Sequence, residues 1–138
     1  MPEASEQFLQ NYAKAFEQND PALAASFCLL PTLVVSDDRR AVFEDRADLI
    51  ASFQGLIDIL DTANVVKHEP EIKKFIRLSP SIIFINMRWQ FYDENAICCL
   101  TCSASYTLQK LPGGELKIII AVLDDDKSIQ KLFRKNVA

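Results

Sequence analysis

The sequence lacks the features that mark membrane and secreted proteins. No uninterrupted apolar run approaches the ~18–20 residues that a spanning helix needs. The N-terminus, MPEASEQ, has no basic segment followed by an apolar one, as a secretory signal would have. Hydrophobic residues make up 49% of the 138 residues and are spread evenly, which is typical of a packed core. We therefore expect one cytoplasmic domain over residues 1–138, with no membrane partner.

The sequence also lacks a basic excess and a metal-ligand pattern. Its net charge of −4 and its pI near 5.0 argue against a nucleic-acid partner. There is one histidine, and the four cysteines at positions 28, 98, 99 and 102 do not have zinc-finger spacing. Cys98 and Cys102 would lie ~13 Å apart on one strand, too far for a disulfide. We expect no metal and no cofactor, and reduced cysteines that act as small hydrophobes.

Three helices are predicted in the N-terminal half. Ser5 is the predicted cap of a first helix that ends near Gln18 and buries Tyr12 on its apolar face. Asn19-Asp20-Pro21 ends that helix and starts a short second one, with Leu23, Ala24 and Phe27 on its buried side. Asp45 is the predicted cap of a third helix that extends to about Leu60.

The rest of the chain predicts antiparallel strands with apolar residues at alternate positions. A short hairpin, Thr32–Ser36 and Ala41–Glu44, precedes the third helix, and long strands cover 65–78, 81–93, 96–108 and 115–123. A tight turn at Glu94-Asn95 would pair Asp93 with Ala96. The predicted inner face, which looks at the helices, then carries Ile72, Ile76, Met87, Trp89, Phe91, Cys98, Leu100, Cys102, Ala104, Tyr106, Leu108, Ile118, Ile120 and Val122. A bulge near Pro70 is predicted to turn Lys74 outward, and 124–138 to form a short helix.

This order of elements resembles the nuclear transport factor 2-like superfamily, in particular its SnoaL-like and ketosteroid-isomerase branches. The residues that carry the resemblance are YAKAFEQNDPALAASF, PTLVV, FEDRADLIASFQGLI, RLSPSIIFINMRW and SASYTLQKLPGGELKI. The resemblance implies an α+β fold of the cystatin-like barrel type. In this fold a cone-shaped, strongly curved antiparallel sheet wraps three N-terminal helices, a short C-terminal helix follows, and a pocket opens at the wide end.

The resemblance to ketosteroid isomerase carries over only in part. Tyr12 falls where the isomerase has an oxyanion-donating Tyr, and Ser36 or Asp37 falls where it has its catalytic Asp. The position of its second oxyanion group, a protonated Asp, falls at about Ala104, which cannot donate. Because that reaction needs a base and two donors, the isomerase site is incomplete here.

The predicted pocket is apolar, with its polar groups at the rim. Tyr12, Asp37 and His68 are the candidates for acid–base chemistry. The candidate ligand-binding residues are Tyr12, Met87, Trp89, Phe91, Leu100, Cys102, Tyr106 and Ile120. A small apolar or aromatic molecule is the expected ligand.

The opposite, outer face of the predicted sheet carries small hydroxyls and aliphatic side chains with few charges. Ser103, Ser105 and Thr107 lie on it, which makes it a poor solvent surface and a good interface. We expect a two-fold homodimer through this face.

Three functions stay open at this point: a small-molecule-binding protein without catalysis, an isomerase, dehydratase or cyclase that uses Tyr12 with Asp37 or His68, and a dimerising module with a filled core.

Overall fold

The structure, a computed structural model, describes residues 2–123. Its helices are α1 (Pro2–Glu17), α2 (Pro21–Ala25) and α3 (Arg46–Thr62), and its strands are β1 (Cys28–Ser36), β2 (Arg39–Phe43), β3 (Val65–Arg77), β4 (Ile82–Asp93), β5 (Cys98–Lys110) and β6 (Leu116–Leu123). The predicted α+β class with a curved sheet and three N-terminal helices is confirmed. The predicted C-terminal helix lies outside the described residues. Within 2–123, no helix is long and apolar enough to cross a membrane.

The six strands form one sheet in the order β2-β1-β6-β5-β4-β3. Neighbouring strands are antiparallel, except that β1 and β6 are parallel. This parallel pair places the N-terminal strand in the sheet, so that α1 and α3 can cover one face. Edge strand β3 packs along α1, and the Glu17 carboxylate accepts a hydrogen bond of 2.7 Å from the backbone N–H of His68. This bond gives a partner to one backbone N–H of β3 that has no neighbouring strand to donate to.

Two of the three predicted N-terminal helix caps are found in the structure. Asp45 caps α3 by accepting from Ala47 N at 2.8 Å, and Asp20 caps α2 by accepting from Leu23 N at 3.0 Å. Ser5 is not a cap, because α1 begins at Pro2 and buries Ser5 completely. Leu23 is 41% exposed rather than buried.

The β4–β5 turn is longer than predicted, yet Met87, Trp89 and Phe91 of β4 point inward as predicted. Asp93 Oδ1 accepts from Asn95 N at 2.9 Å and from Ile97 N at 3.0 Å, and Ala96 adopts the positive φ of 61°. The predicted pairing of Asp93 with Ala96 is therefore wrong, and Trp89 lies opposite Cys102. From Leu100 onward that shift is by two residues, so these side chains keep their faces. Nearer the turn, a bulge between Phe91 and Tyr92 pairs Cys98 with Tyr92, so Cys98, which was predicted to be inward, is exposed on the other face.

Two further bulges move predicted inner residues to the other face of the sheet. One of them, in β3, lies at Lys73 rather than near Pro70. It puts Phe75 opposite the buried Ile85 and leaves Ile76, predicted to be inward, 47% exposed. On the other side of this bulge, Ile72 pairs with Met87 and Glu71 with Arg88.

The second bulge lies between Thr107 and Leu108, where β5 pairs with β6. Ile118 pairs with the inward Leu108, but the residue opposite the inward Tyr106 is Ala121, and Ile120 lies opposite Thr107. Ile120 and Val122 are therefore on the outer face, not on the inner one. An inserted residue in one strand reverses every later side chain relative to its partners.

Candidate functional site

A cavity of about 90 Å³ lies between the inner face of the sheet and the helices α1 and α3. Every strand except β2 contributes to its wall. The lining residues are Tyr12, Phe16, Cys28, Thr32, Val34, Phe53, Leu56, Leu60, His68, Trp89, Phe91, Cys102, Ser103, Ala104, Tyr106, Ile118, Ala121 and Leu123. None of these side chains carries a formal charge at neutral pH, so the wall is apolar apart from a few neutral hydrogen-bonding groups.

The structure brings most of the predicted site residues together. Tyr12, Trp89, Phe91, Cys102 and Tyr106 all line the cavity, and His68 lies beside them.

The other predicted residues are elsewhere. Met87 is buried in the core but does not line the cavity, and neither does the half-buried Leu100. Ile120 is excluded by the bulge in the β5–β6 pairing. Asp37 is exposed in the turn between β1 and β2, so the carboxylate considered as a base does not reach this space.

Helix and β1 residues on the wall were not predicted as site residues. Phe16 follows Tyr12 by four residues, so the apolar stripe of α1 could have indicated it. Cys28 and Thr32 could not have been found, because only the parallel pairing of β1 with β6 brings them inside.

A set of rings in mutual contact surrounds the cavity. Tyr12 contacts Phe16 edge-to-face with ring centroids 5.0 Å apart, and Phe16 stacks on His68 at 6.0 Å. His68 contacts Phe91 edge-to-face at 5.0 Å, and Phe91 stacks on Trp89 at 6.3 Å. Trp89 lies 6.3 Å from Tyr12 and closes the circuit. Such offset and edge contacts hold each ring in place beyond the effect of burial alone.

Two polar groups in this set of rings are hydrogen-bonded to each other. Trp89 Nε1 donates a buried hydrogen bond of 2.9 Å to the hydroxyl oxygen of Tyr106. Burial raises the pKa of Tyr106 well above its usual 10.0 despite that bond. The Tyr106 side chain is therefore a neutral phenol that fixes the orientation of the Trp89 ring.

Two further polar groups have no hydrogen-bond partner within residues 2–123. These are the hydroxyl of Tyr12 and the imidazole nitrogens of His68, although both residues are more than nine-tenths buried. Burial raises the pKa of Tyr12 well above 10.0 and lowers the pKa of His68 from 6.5 to about 4. Both groups are thus neutral at pH 7. As a general base His68 would be weak, since such a base works best with a pKa near the working pH.

The cysteine thiol on the wall is also neutral. Burial raises the pKa of Cys28 to about 12, although Lys117 and a hydrogen bond with Thr32 act in the opposite direction. Because the thiolate is the nucleophile, this thiol is unreactive near neutral pH.

A second depression, of about 290 Å³, lies outside the core between α1 and β3. It is lined by exposed Glu6 and Glu71 together with Leu9, Gln10, Pro70 and Ile72. The Glu71 carboxylate is 2.8 Å from the ammonium of Lys73, which lowers its pKa. This depression is a surface groove in which one of the two acidic groups, Glu71, is paired with a lysine.

Solved structures with the same fold support the resemblance. An NTF2-like protein of unknown function from Shewanella oneidensis MR-1 is 15% identical, with a TM-score of 0.71 over 91% of this chain and 100% of the other. A ketosteroid isomerase-like protein from Erwinia carotovora atroseptica is 14% identical, with a TM-score of 0.62 over 86% and 91%. A protein from Catenulispora acidiphila, solved in complex with S-DNPA, is 11% identical, with a TM-score of 0.63 over 91% and 94%. At these identities the likeness concerns the fold alone.

Comparison at the level of sequence gives the family. No functionally curated protein matches the chain. The family described as NTF2-like protein (DUF6841) matches residues 2–126, nearly the whole chain. The two N-terminal helices, the short β1–β2 hairpin, the long α3 and the four long strands are thus those of a known family, and this chain belongs to the NTF2-like DUF6841 family.

Proposed function

We propose that this protein binds a small, mainly apolar molecule in the cavity between its sheet and its helices. The observation that carries the proposal is the pair of unpartnered polar groups, Tyr12 and His68, on an otherwise apolar wall. Buried polar groups are nearly always hydrogen-bonded, so each exception needs an explanation. A bound molecule with a polar atom could hydrogen-bond to both groups.

The size of the cavity limits the ligand. At about 90 Å³ it is smaller than the about 150 Å³ that holds benzene in an engineered cavity, and far below the about 300 Å³ of small ligand pockets. Even a ligand with one ring would therefore need the half-buried Leu56 and Leu123 side chains to move. The protein from Catenulispora acidiphila, solved with S-DNPA, supports the view that this fold can hold a small molecule.

The test is a thermal-shift screen with small aromatic and aliphatic compounds at millimolar concentration. We expect several one-ring compounds to raise the melting temperature, because a ligand that binds only the folded state stabilises it. Ala121→Leu adds a larger side chain to the cavity wall and should abolish the shifts. Ala51→Leu makes the same change at an exposed position of α3 and should leave them intact. Shifts that persist in Ala121→Leu, or no shift with any compound, would contradict the proposal.

A dimerising module is the second candidate function, and the small volume of the cavity favours it. The outer face presents Phe84, Ser105, Thr107, Ile120 and Val122, none of which is charged. The two functions are compatible, because they use opposite faces of one sheet. The outcome of the Ala121→Leu experiment does not depend on whether the protein is a dimer.

A further inference from the structure

We propose that His68 determines the chemistry of the ligand, and that the cavity selects an uncharged hydroxyl compound, a small alcohol or phenol, over a hydrocarbon or an ion of the same size. This inference rests on the proposed function and adds the polar group that the ligand must carry. Three observations support it: the way the imidazole is held, the absence of charge on the wall, and the free hydrogen-bonding capacity of the ring.

The imidazole of His68 is held between two aromatic rings, and its backbone is held by hydrogen bonds. Phe16 stacks on one side of it with an interplanar angle of 22°, and Phe91 meets it edge-to-face at 89°. The backbone of His68 pairs with Phe91 across the β3–β4 ladder, and its N–H donates to Glu17. A ring held in this way presents its nitrogens in a set direction, and preorganisation of this kind lowers the cost of binding.

The wall around the ring selects against charged ligands. None of the residues that line the cavity has a carboxylate, an ammonium or a guanidinium group. A buried ion without a partner is far more costly than a buried dipole. Glu17 is the carboxylate that faces His68 from α1, and it is occupied by the backbone N–H of that residue. Because the pKa of His68 is about 4, the ring itself adds no charge at pH 7.

A neutral imidazole offers one N–H donor and one nitrogen acceptor. A hydroxyl group both donates and accepts, so it can bond to whichever nitrogen faces the cavity. A carbonyl oxygen would need the N–H there, and a hydrocarbon would leave the ring nitrogens unpaired. Tyr12 lines the same cavity, and a ligand oxygen that reaches its hydroxyl could also accept from it.

The experiment uses phenol and toluene, two molecules with equal numbers of heavy atoms, and benzoate and benzylammonium as charged probes. His68 is the only histidine, so untagged protein gives a single set of imidazole nitrogen signals by NMR. We expect phenol to shift these signals saturably and to bind about tenfold tighter than toluene, the effect of one hydrogen bond. We expect benzoate and benzylammonium not to bind.

Two variants separate a role in recognition from a role in packing. His68→Phe keeps a ring but removes both nitrogens, so phenol and toluene should bind equally well to it. His68→Gln keeps a donor and an acceptor and should recover part of the preference. Binding of phenol and toluene with equal affinity to the natural protein, or a preference for phenol that survives in His68→Phe, would overturn the role of His68 while leaving a pocket for apolar ligands. Failure of all four probes to bind would overturn both proposals.

Discussion

The aromatic neighbours of His68 both hold the ring and keep it neutral. Phe16, Phe91 and the surrounding apolar wall remove water from an imidazole that has no charged partner, and desolvation is the only cause of its lowered pKa. The same surroundings act on Tyr12, whose hydroxyl stays protonated. At this scale the site is a set of neutral dipoles in an apolar space, which suits recognition better than proton transfer.

The lowered pKa of His68 predicts a loss of stability in acid. The unfolded chain has a histidine pKa near 6.5 and the folded chain one of about 4. Between these values the unfolded state binds more protons, so the free energy of unfolding falls as pH decreases from 6.5 towards 4. Above pH 6.5 the neutral His68 costs the folded state no free energy of protonation. Below pH 4 its titration lowers the free energy of unfolding by about 3 kcal/mol.

Urea denaturation of the natural protein and of His68→Phe between pH 3.5 and 7.5 measures this contribution. The carboxylates titrate in both proteins and cancel in the difference between the two free energies of unfolding. That difference should favour the natural protein by more at pH 7 than at pH 4. A difference that is independent of pH would show that His68 titrates normally in the folded state.

At the scale of the element, α3 depends on its cap. Asp45 Oδ1 accepts the backbone N–H of Ala47 at 2.8 Å at the start of the 17-residue helix. We expect Asp45→Ala to lower the free energy of unfolding by about 1 kcal/mol, because a helix N–H loses its acceptor. Asp45→Asn keeps a side-chain oxygen and should cost much less. Equal losses in the two variants, measured by urea denaturation, would mean that charge rather than the hydrogen bond stabilises the helix.

The elements themselves follow from local patterns in the sequence. Asp20 and Asp45 mark helix starts because a short acceptor side chain suits the first turn of a helix. The alternation from Met87 to Phe91 places these residues inside without any knowledge of the turn, because the register error was an even number of residues.

The sequence does not reveal where a strand gains a residue. The bulges at Lys73 and beside Leu108 carry no proline or glycine, and each reverses the faces beyond it. Ile76 and Ile120 were placed on the wrong face for this reason. The parallel β1–β6 pair is equally hidden, because it joins segments some ninety residues apart. The part of the site on β4 and α1 was therefore predictable from local periodicity, and the part on β1 and β6 was not.

At the scale of the molecule, the two faces of the sheet differ in what covers them. The inner face packs on α1 and α3, and no described helix covers the outer face. Its centre carries Asn86 and Ser105, whose side chains hydrogen-bond to each other at 3.1 Å, beside Thr107, Ile120 and Val122. The corrected β6 register puts these last two aliphatic residues on this face. The outer face is therefore more apolar than the sequence predicts, which favours its use as an interface.

A two-fold dimer through the outer face predicts a definite outcome in solution. Sedimentation equilibrium under reducing conditions should give twice the chain mass of 15.6 kDa at micromolar concentration. Ile120→Lys should shift the equilibrium to the single chain, because each two-fold contact would bury two unpaired ammonium groups. Leu23→Lys, at a site that is 41% exposed on the helix α2, is the matched control and should remain dimeric. A single 15.6 kDa species of the natural protein, or a dimer that survives Ile120→Lys, would exclude the outer face as the interface and leave the cavity as the remaining candidate for function.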